Sequence, residues 1–542
     1  MGESPRVSTA PWPLGETIGE LLRKQATRYA DHPYFKCSGG WRTFADVDEV
    51  SERLAAGLAA LGIGKGDRVG IISDNRDEFV ETFFACAKLG AIQVPLNTYL
   101  KGDFLKYQLI DADLGAVVVD AAGFAAIAPI LPETPIKHVI SLDDVDETAI
   151  GVEVSHYGDV ARCAEPAPMV EVDPSDVLGI LYTSGTTGMP KGCMLPHGYY
   201  RYAPQQYLED RRFVSHDRIM FSSQLFHTSG QVYMLMVGLA GPCQLIIKQT
   251  FSASRFVAEA KAEQVKHLFG VGAMGVAILA TPEKPEDAEP GTIQSATWVP
   301  MTEDDQLEFE RRFKVTTWGT GYGQTECMPI VHAMPTGPRN RRACGVPVPQ
   351  LEVRIVDEHD QEVPRGQAGE IVVRPRFPDI MYQGYWRKPE ATLAAMSNFW
   401  HHTGDYGRQD DEDYLYFVDR KQQSIRRRGE NVSSHELEGA IRKHPSVANV
   451  AVHAVPSPLG EEDIKAVLVL REDHSVRPAA LFEFFAENLP YFAVPRYVEI
   501  RVTLPVNAAG RVMKHLLKEE GITAATWDLE AMGLTVARDK RR

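Results

Sequence analysis

The chain has 542 residues, more than one core usually supports, so two or more domains are expected. Hydrophobic residues at 44% and charged residues at 24% are ordinary globular values, and 57 Lys+Arg against 73 Asp+Glu gives a net charge of −16. That balance argues against a nucleic-acid partner, which would need a basic surface, and no apolar stretch is long enough for a membrane segment.

In chain order, the opening Met1-Gly-Glu-Ser-Pro-Arg6 lacks the apolar run of a signal peptide, and Arg6 stands where a myristoylation signal needs Ser or Thr. Apolar spacing predicts helices over 18–29, 44–61 and 79–89, alternating with strands at 68–73, 91–95, 116–120 and 136–141. The expected class is α/β with largely buried strands. Residues 177–181 read as one more buried strand, and they run straight into the most informative segment of the chain, Tyr182-Thr-Ser-Gly-Thr-Thr-Gly-Met-Pro-Lys-Gly192. Its hydroxyls (Tyr182, Thr183, Ser184, Thr186, Thr187) are short donors, and Gly185, Gly188 and Gly192 let backbone N–H groups turn toward an anion. Lys191 adds a mobile positive charge suited to phosphate. Gly192 follows Lys191 where a Walker A loop has Ser or Thr, so this is a different cradle for nucleotide phosphates.

Further on, 282–290 is a polar loop bounded by prolines. Gly321-Tyr-Gly-Gln-Thr-Glu326 places an aromatic ring, a hydroxyl and a carboxylate around two glycines (Gly321 and Gly323), as expected of a strand end. Tyr322 suits base stacking, Thr325 a phosphate, and Glu326 a hard cation such as Mg²⁺. From about residue 340 the texture becomes β-rich, with strands expected at 351–356 and 369–374. A turn-dense stretch is expected over 404–419 and a charged run over 419–430. A compact βαβ-like segment closes the pattern: helices at 435–443 and 478–488, strands at 447–455 and 464–470. The domain boundary is placed after residue 420, giving domains 1–420 and 421–542. The seven cysteines are scattered with no C-x-x-C pair, which fits reduced thiols; a soluble cytoplasmic protein is expected. Basic clusters stand at Arg339–Arg342, Arg426–Arg428 and Lys540–Arg542.

Taken with Thr403-Gly-Asp405, Asp419-Arg420 and Gln224-Leu-Phe-His-Thr-Ser-Gly230, these motifs resemble the adenylate-forming superfamily of acyl-CoA synthetases, luciferases and peptide-synthetase adenylation domains, over about residues 15–520. Arg427-Arg-Gly-Glu-Asn-Val-Ser433 makes the likeness strongest to carnitine-type and short- or medium-chain acyl-CoA synthetases. The resemblance implies a large N-terminal α/β domain of several subdomains and a small mobile α+β lid. It implies that Asp405 binds the ribose, that Arg420 supports it or a phosphate, and that His227 lies between the phosphates and the acyl pocket. It implies ATP and Mg²⁺, with coenzyme A as co-substrate: a carboxylate attacks the α-phosphate, and the acyl-adenylate then passes to a thiol. The hinge position matches Gln422, and Arg426 to Arg428 with Gly429 fall in the segment lining the coenzyme A tunnel; a solvated charge run is the competing reading of Arg426 and Arg427.

Two departures from the family pattern stand out. The lysine that bridges carboxylate and α-phosphate is replaced by Arg511, with Lys514 three residues on, and Arg is not a conservative substitute at a bridging site. Either residue serves, or the chemistry has changed. Around Thr297-Trp-Val-Pro-Met301 a glycine-rich stretch is replaced by bulk. Trp298, with Met301, either narrows the substrate pocket or packs into the core with its N–H satisfied elsewhere. The leading expectation is a small- or medium-acid–CoA ligase. The alternatives are adenylation without coenzyme A, for an amine or for nitrite in an ATP-dependent diazotase, and a weakened nucleotide-binding relative.

Overall fold

The computed structural model describes residues 15–100, 102–146, 151–183, 189–211, 213–289, 291–333, 339–420, 425–427, 430–432, 434–457, 462–489, 493–506 and 512–536. The chain divides into two compact units. One is Met1–Val353, Val373–His401 and Asp413–Leu415; the other is Arg354–Val372, His402–Glu412 and Tyr416–Arg542. The chain passes from one to the other within each strand of a four-stranded sheet, Leu351–Val356, Gly369–Pro375, His401–Gln409 and Leu415–Arg420. The stretch expected to be turns, 404–419, is therefore mostly strand; its charged and aromatic residues alternate along a half-buried surface, which is strand chemistry that turn-forming residues masked.

The larger unit holds two seven-stranded sheets. The first runs Glu153–His156, His138–Ser141, Ala116–Val119, Arg68–Ile72, Ile92–Pro95, Val177–Thr183, Lys191–Pro196. All its pairs are parallel except the last, where Val177–Thr183 and Lys191–Pro196 are antiparallel. The second runs Thr316–Trp318, Ser295–Val299, His267–Val271, Arg218–Phe221, Gln244–Ile247, Pro33–Lys36, Arg42–Thr43. The central strands are apolar on both faces, as parallel strands covered by helices must be. One core cluster draws on both sheets: Ile71, Leu178 and Leu181 from the first, Ile219, Phe221 and Phe269 from the second, packed with Phe79, Phe83, Tyr199 and Tyr200 from helices. The α/β class and the early helices stand as expected; the first of these, Ile18–Arg28, opens on a capping box in which Thr17 and Glu20 satisfy each other's backbone N–H.

The smaller unit is α+β. Its sheet runs Val447–Pro456, Glu462–Leu470, Tyr497–Arg501, Trp527–Asp528, and the helix Pro478–Asn488 makes the crossover between the two parallel strands. One face packs Val450, Val452, Leu468, Leu481 and Phe485; the other packs Ala451, Val467, Leu504 and Leu517. Among the described residues no disulfide forms, and no helix is long and apolar enough to cross a membrane. Of the basic clusters, Arg339 and Arg341 share Glu310 at 2.9 and 2.6 Å and Arg342 pairs with Glu303 at 2.6 Å, so each of these three charges has a partner within its own unit.

A buried ion pair ties the small unit together. Lys465 Nζ lies 2.6 Å from Glu499 Oε2 and donates to the Gly521 carbonyl, while Thr523, Thr526 and Arg501 also donate to Glu499. Burial alone would raise the Glu499 pKa, but these donors outweigh it and hold it at about 2, against an ordinary 4.5. Because the folded value lies below the unfolded one, the stabilisation is complete above about pH 4.5 and is lost as pH falls toward 2. Glu499→Gln is expected to destabilise this unit by about 3–5 kcal/mol at neutral pH and to flatten that acid limb; denaturant unfolding followed against pH checks both, and a wild-type curve from the variant refutes the account.

Candidate active site

The phosphate-loop candidate is the connection of the antiparallel pair. Thr183 faces Lys191 in the register, Tyr182 faces Gly192 and Leu181 faces Cys193, and Thr183 Oγ1 donates to the Lys191 carbonyl at 3.4 Å. Both ends of the loop are thus fixed to one ladder at the sheet edge. Ser184, Gly185, Thr186, Thr187 and Gly188 lie outside the described residues. The Tyr182 hydroxyl is not a loop donor: it binds Asp111 Oδ2 at 2.8 Å, and Lys388 Nζ takes the other oxygen at 2.6 Å. Strand alternation turns Tyr182 to the face opposite its neighbours, a consequence of the pleat that hydroxyl counting ignores.

A segment that sequence reasoning missed completes this half. Residues 383–386 pair with the free edge of Lys191–Pro196: Gln383 N donates to Met194 O at 2.8 Å, Met194 N to Gly384 O at 3.0 Å, and Trp386 N to Gly192 O at 2.8 Å. This places the Tyr385 ring 4.7 Å from Lys191 Nζ, and the Tyr385 hydroxyl donates to Glu326 Oε1 at 2.8 Å. Burial first, and then the Glu326 charge, push the Tyr385 pKa up, so the hydroxyl stays a donor. One aromatic ring therefore links the loop's cation to the carboxylate of the second motif. Tyr382 N donates to Glu326 O at 2.9 Å, and its hydroxyl contacts His401 Nδ1 at 3.3 Å, with Gln324 Oε1 at 3.3 Å on the other ring nitrogen. The signal that could have found them is three aromatics in five positions, Tyr382, Tyr385 and Trp386, around one glycine.

Gly321–Glu326 begins just after Thr316–Trp318, the edge strand of the second sheet, as a strand-end motif should. Gln324 and Cys327 exchange backbone hydrogen bonds at 2.9 and 3.0 Å, which puts Thr325 and the buried Glu326 on a tight turn, and Thr325 O accepts from the Tyr199 hydroxyl at 3.1 Å. Gly323 sits where a Cβ would come 3.2 Å from Cys327 O, and the Gly321 position abuts Val299. Tyr322 is half-buried. His227 is exposed, in the turn between Arg218–Phe221 and the π-helix Ser229–Leu235, at the C-terminal end of a parallel strand where ligands of such sheets gather.

Trp298 and Met301 fall in a different place. Trp298 is fully buried against Phe256 and Phe309, with ring centroids 6.1 and 5.6 Å away, and Met301 joins the same cluster. The structure supports the core reading of Trp298, with one difference: its Nε1 finds no hydrogen-bond partner among the described residues. Strand alternation leaves Thr297 and Val299 on the other face.

The smaller unit carries the remaining candidates. Gly404 takes a left-handed φ of +68°, its N–H donates to Glu370 Oε1 at 3.1 Å, and Thr403 Oγ1 donates to Ile371 O at 2.7 Å. This pins Thr403-Gly-Asp405 within a strand, and Asp405 is buried. Arg420 ends the strand Leu415–Arg420. Lys514 Nζ is committed inside its own unit, 2.7 Å from Glu438 Oε1 and 2.7 Å from Ser434 Oγ. Arg427 is not a solvated charge. It is buried, 3.1 Å from Asp463 and 3.5 Å from Glu530, because a guanidinium fork can satisfy two carboxylates at once. Gln422, Arg428, Gly429 and Arg511 lie outside the described residues.

Residues 22–386 match the AMP-binding enzyme family, and residues 436–511 match the AMP-binding enzyme C-terminal domain. A crotonobetaine/carnitine–CoA ligase of Salmonella agona (strain SL483) is 30% identical over 519 residues, 93% of this chain and 99% of the relative. ATP-bound MatB from Rhodopseudomonas palustris superposes with a TM-score of 0.81 at 26% identity, over 93% of this chain and 98% of that one. The O-succinylbenzoate coenzyme A synthetase MenE from Bacillus subtilis, in complex with AMP, gives a TM-score of 0.80 at 25% identity, with the same coverage of 93% and 98%. With the Thr183–Lys191 pairing and the Gly321–Glu326 turn in place, the chain belongs to the AMP-binding enzyme family, as an AMP-forming ligase of the acid–CoA ligase type.

Proposed function

We propose that the protein activates a small or medium organic acid as its acyl-adenylate and transfers it to coenzyme A. The observation that carries this reading is the Lys191–Tyr385–Glu326 link, which holds a phosphate-seeking cation and a buried carboxylate on one ring beside the Thr183–Lys191 hairpin. The acid class follows the relative spanning 93% of the chain, named for crotonobetaine and carnitine, which are small carboxylic acids. Those names describe coenzyme A ligases and give the amine and nitrite alternatives no support.

In the first step a carboxylate oxygen attacks the α-phosphate of ATP and pyrophosphate leaves. In the second, the coenzyme A thiol attacks the acyl carbon, loses its proton, and AMP leaves. Lys191 and the hydroxyls of Thr183 to Thr187 neutralise and orient the phosphates; His227 stands at the acyl side, Tyr322 under the base, Asp405 and Arg420 at the ribose, and Gln422 serves as the hinge of a C-terminal lid beyond residue 420. Arg428 and Gly429 serve the coenzyme A tunnel. Glu326, a buried carboxylate that accepts from the Tyr385 hydroxyl, would hold Mg²⁺, which is suited to one carboxylate plus phosphate oxygens. When bound there, magnesium neutralises phosphate charge. Because Lys514 is held by Glu438 and Ser434, we assign the bridging cation to Arg511.

ATP with crotonobetaine, carnitine, butyrate or benzoate is expected to yield pyrophosphate, faster when coenzyme A is present; silence with every acid overturns the reading, and release with nitrite alone would redirect it. Arg511→Ala is expected to slow pyrophosphate release about a hundredfold or more. Lys514→Ala is expected to stay within a few-fold of wild type while losing about 1–3 kcal/mol of stability; the reverse pattern would move the role to Lys514. Tyr385→Phe removes one hydrogen bond from Glu326 and is expected to raise the magnesium concentration for half-maximal rate about tenfold. An unshifted magnesium titration would separate Glu326 from the metal.

A further inference from the structure

The loop carrying His227 is flanked on both sides by buried amides that join it to the sheet containing Arg68–Ile72 and Ile92–Pro95. On the approach side stands Asn75, 1% exposed, just past the strand Arg68–Ile72. Its Nδ2 donates to Ser223 O and Lys248 O, each at 3.1 Å, and its Oδ1 accepts from Leu225 N at 2.8 Å. On the exit side stands Gln231, whose backbone N–H donates to the His227 carbonyl at 3.0 Å. Its side chain forms a reciprocal amide pair with Gln93 of the strand Ile92–Pro95, at 2.9 and 3.2 Å. The Tyr200 hydroxyl closes the ring, accepting from Gln93 Nε2 and donating to Gln231 Oε1, both at 2.9 Å.

Gln93, Tyr200 and Gln231 are each 0% exposed, and the three side chains satisfy one another with no solvent. An apolar trio of similar volume would stabilise a core at least as well, so what the polar trio adds is direction. The direction points two ways. Gln93 lies opposite Gly179 in the strand that feeds the phosphate loop, and a Cβ at 179 would come within 2.4 Å of both Gln93 Nε2 and the Tyr200 hydroxyl. At the other end one backbone bond reaches His227, at the mouth of a seven-residue π-helix, a geometry that recurs at functional sites.

We propose that Asn75, Gln93, Tyr200 and Gln231 are positioning residues, a buried clamp that sets His227 against the strand Val177–Thr183 and thereby sets the rate of adenylation. The inference rests on the proposed function, in which His227 acts at the acyl side. The test measures pyrophosphate release with ATP and the fastest acid of the panel above, in the full-length enzyme, with rates expressed per active site titrated by the burst of acyl-adenylate. Gln231→Met is expected to lower kcat about ten- to a hundredfold with the KM for ATP within twofold, since a displacement near 1 Å costs about that much. The double variant Gln93→Met with Gln231→Met is expected to be no slower than the single, because the pair acts as a unit.

A kcat for Gln231→Met within twofold of wild type overturns the clamp, as does a purely additive double variant. A loss seen only as fewer titratable sites also overturns it, since that is a structural role alone. Tyr200→Phe deletes one oxygen and keeps the packed ring; if Gln231→Met does not accumulate folded, a three- to tenfold fall in kcat for Tyr200→Phe is the expected result and no fall overturns the clamp. His227→Ala separates the two readings: if it is slow while the clamp variants are fast, only the clamp fails; if it is as fast as wild type, the role given to His227 fails first.

Discussion

The site depends on one ladder, the antiparallel pairing of Val177–Thr183 with Lys191–Pro196 at the edge of an otherwise parallel sheet. An antiparallel pair can be joined by a short connection, whereas a parallel one needs a long crossover. Thr183 and Lys191, the two ends of the phosphate-loop candidate, are therefore held opposite each other in one ladder on a largely buried stem. Because the hairpin ends the sheet, its outer strand offers unpaired backbone groups, and residues 383–386 take them up. Pairing and chemistry coincide here: the segment that covers the edge is the one that delivers Tyr385 to Lys191 and Glu326.

The interior of the larger unit shows two ways of holding position. Apolar packing of Phe, Leu and Ile between the sheets supplies most of the stability but is indifferent to small slips. The amides of Asn75, Gln93 and Gln231 have fixed donor and acceptor directions, and they occur where the two sheets meet the loop of His227. The same division holds in the smaller unit, where an apolar core sits beside the Lys465–Glu499 and Arg427–Asp463 pairs.

Much of this was legible in the residues themselves. The strands at 68–73 and 116–120 and the helices near 18–29 and 44–61 announce themselves by period and by caps, and the two candidate nucleotide motifs stand out by composition. What periodicity could not show is partnership across the chain. Tyr385 is nearly two hundred residues from Lys191, so no local pattern joins them. A solvated Arg427 stayed open as a reading because a charge run is judged by composition, while its burial depends on Asp463 and Glu530 arriving from elsewhere. Trp298 was ambiguous for a related reason: bulk at a strand position says nothing of which face it takes until the register is known. The strands within 404–419 were hidden by Gly404 and by acidic residues that usually mark turns.

The division of the chain has a consequence for how such enzymes can be taken apart. Residues 354–372 and 402–412 belong to the smaller unit, yet they are threaded between segments of the larger one. A gene fragment starting at 421 would carry the sheet Val447–Asp528 but leave behind the strand holding Asp405 and the Glu370 that pins its glycine turn. Exchanging C-terminal segments with a relative by a single crossover there would thus exchange Lys514 and Arg511 while keeping the Asp405 strand and Glu370 of the parent. Recombinants of that kind would build their smaller unit from two ancestors.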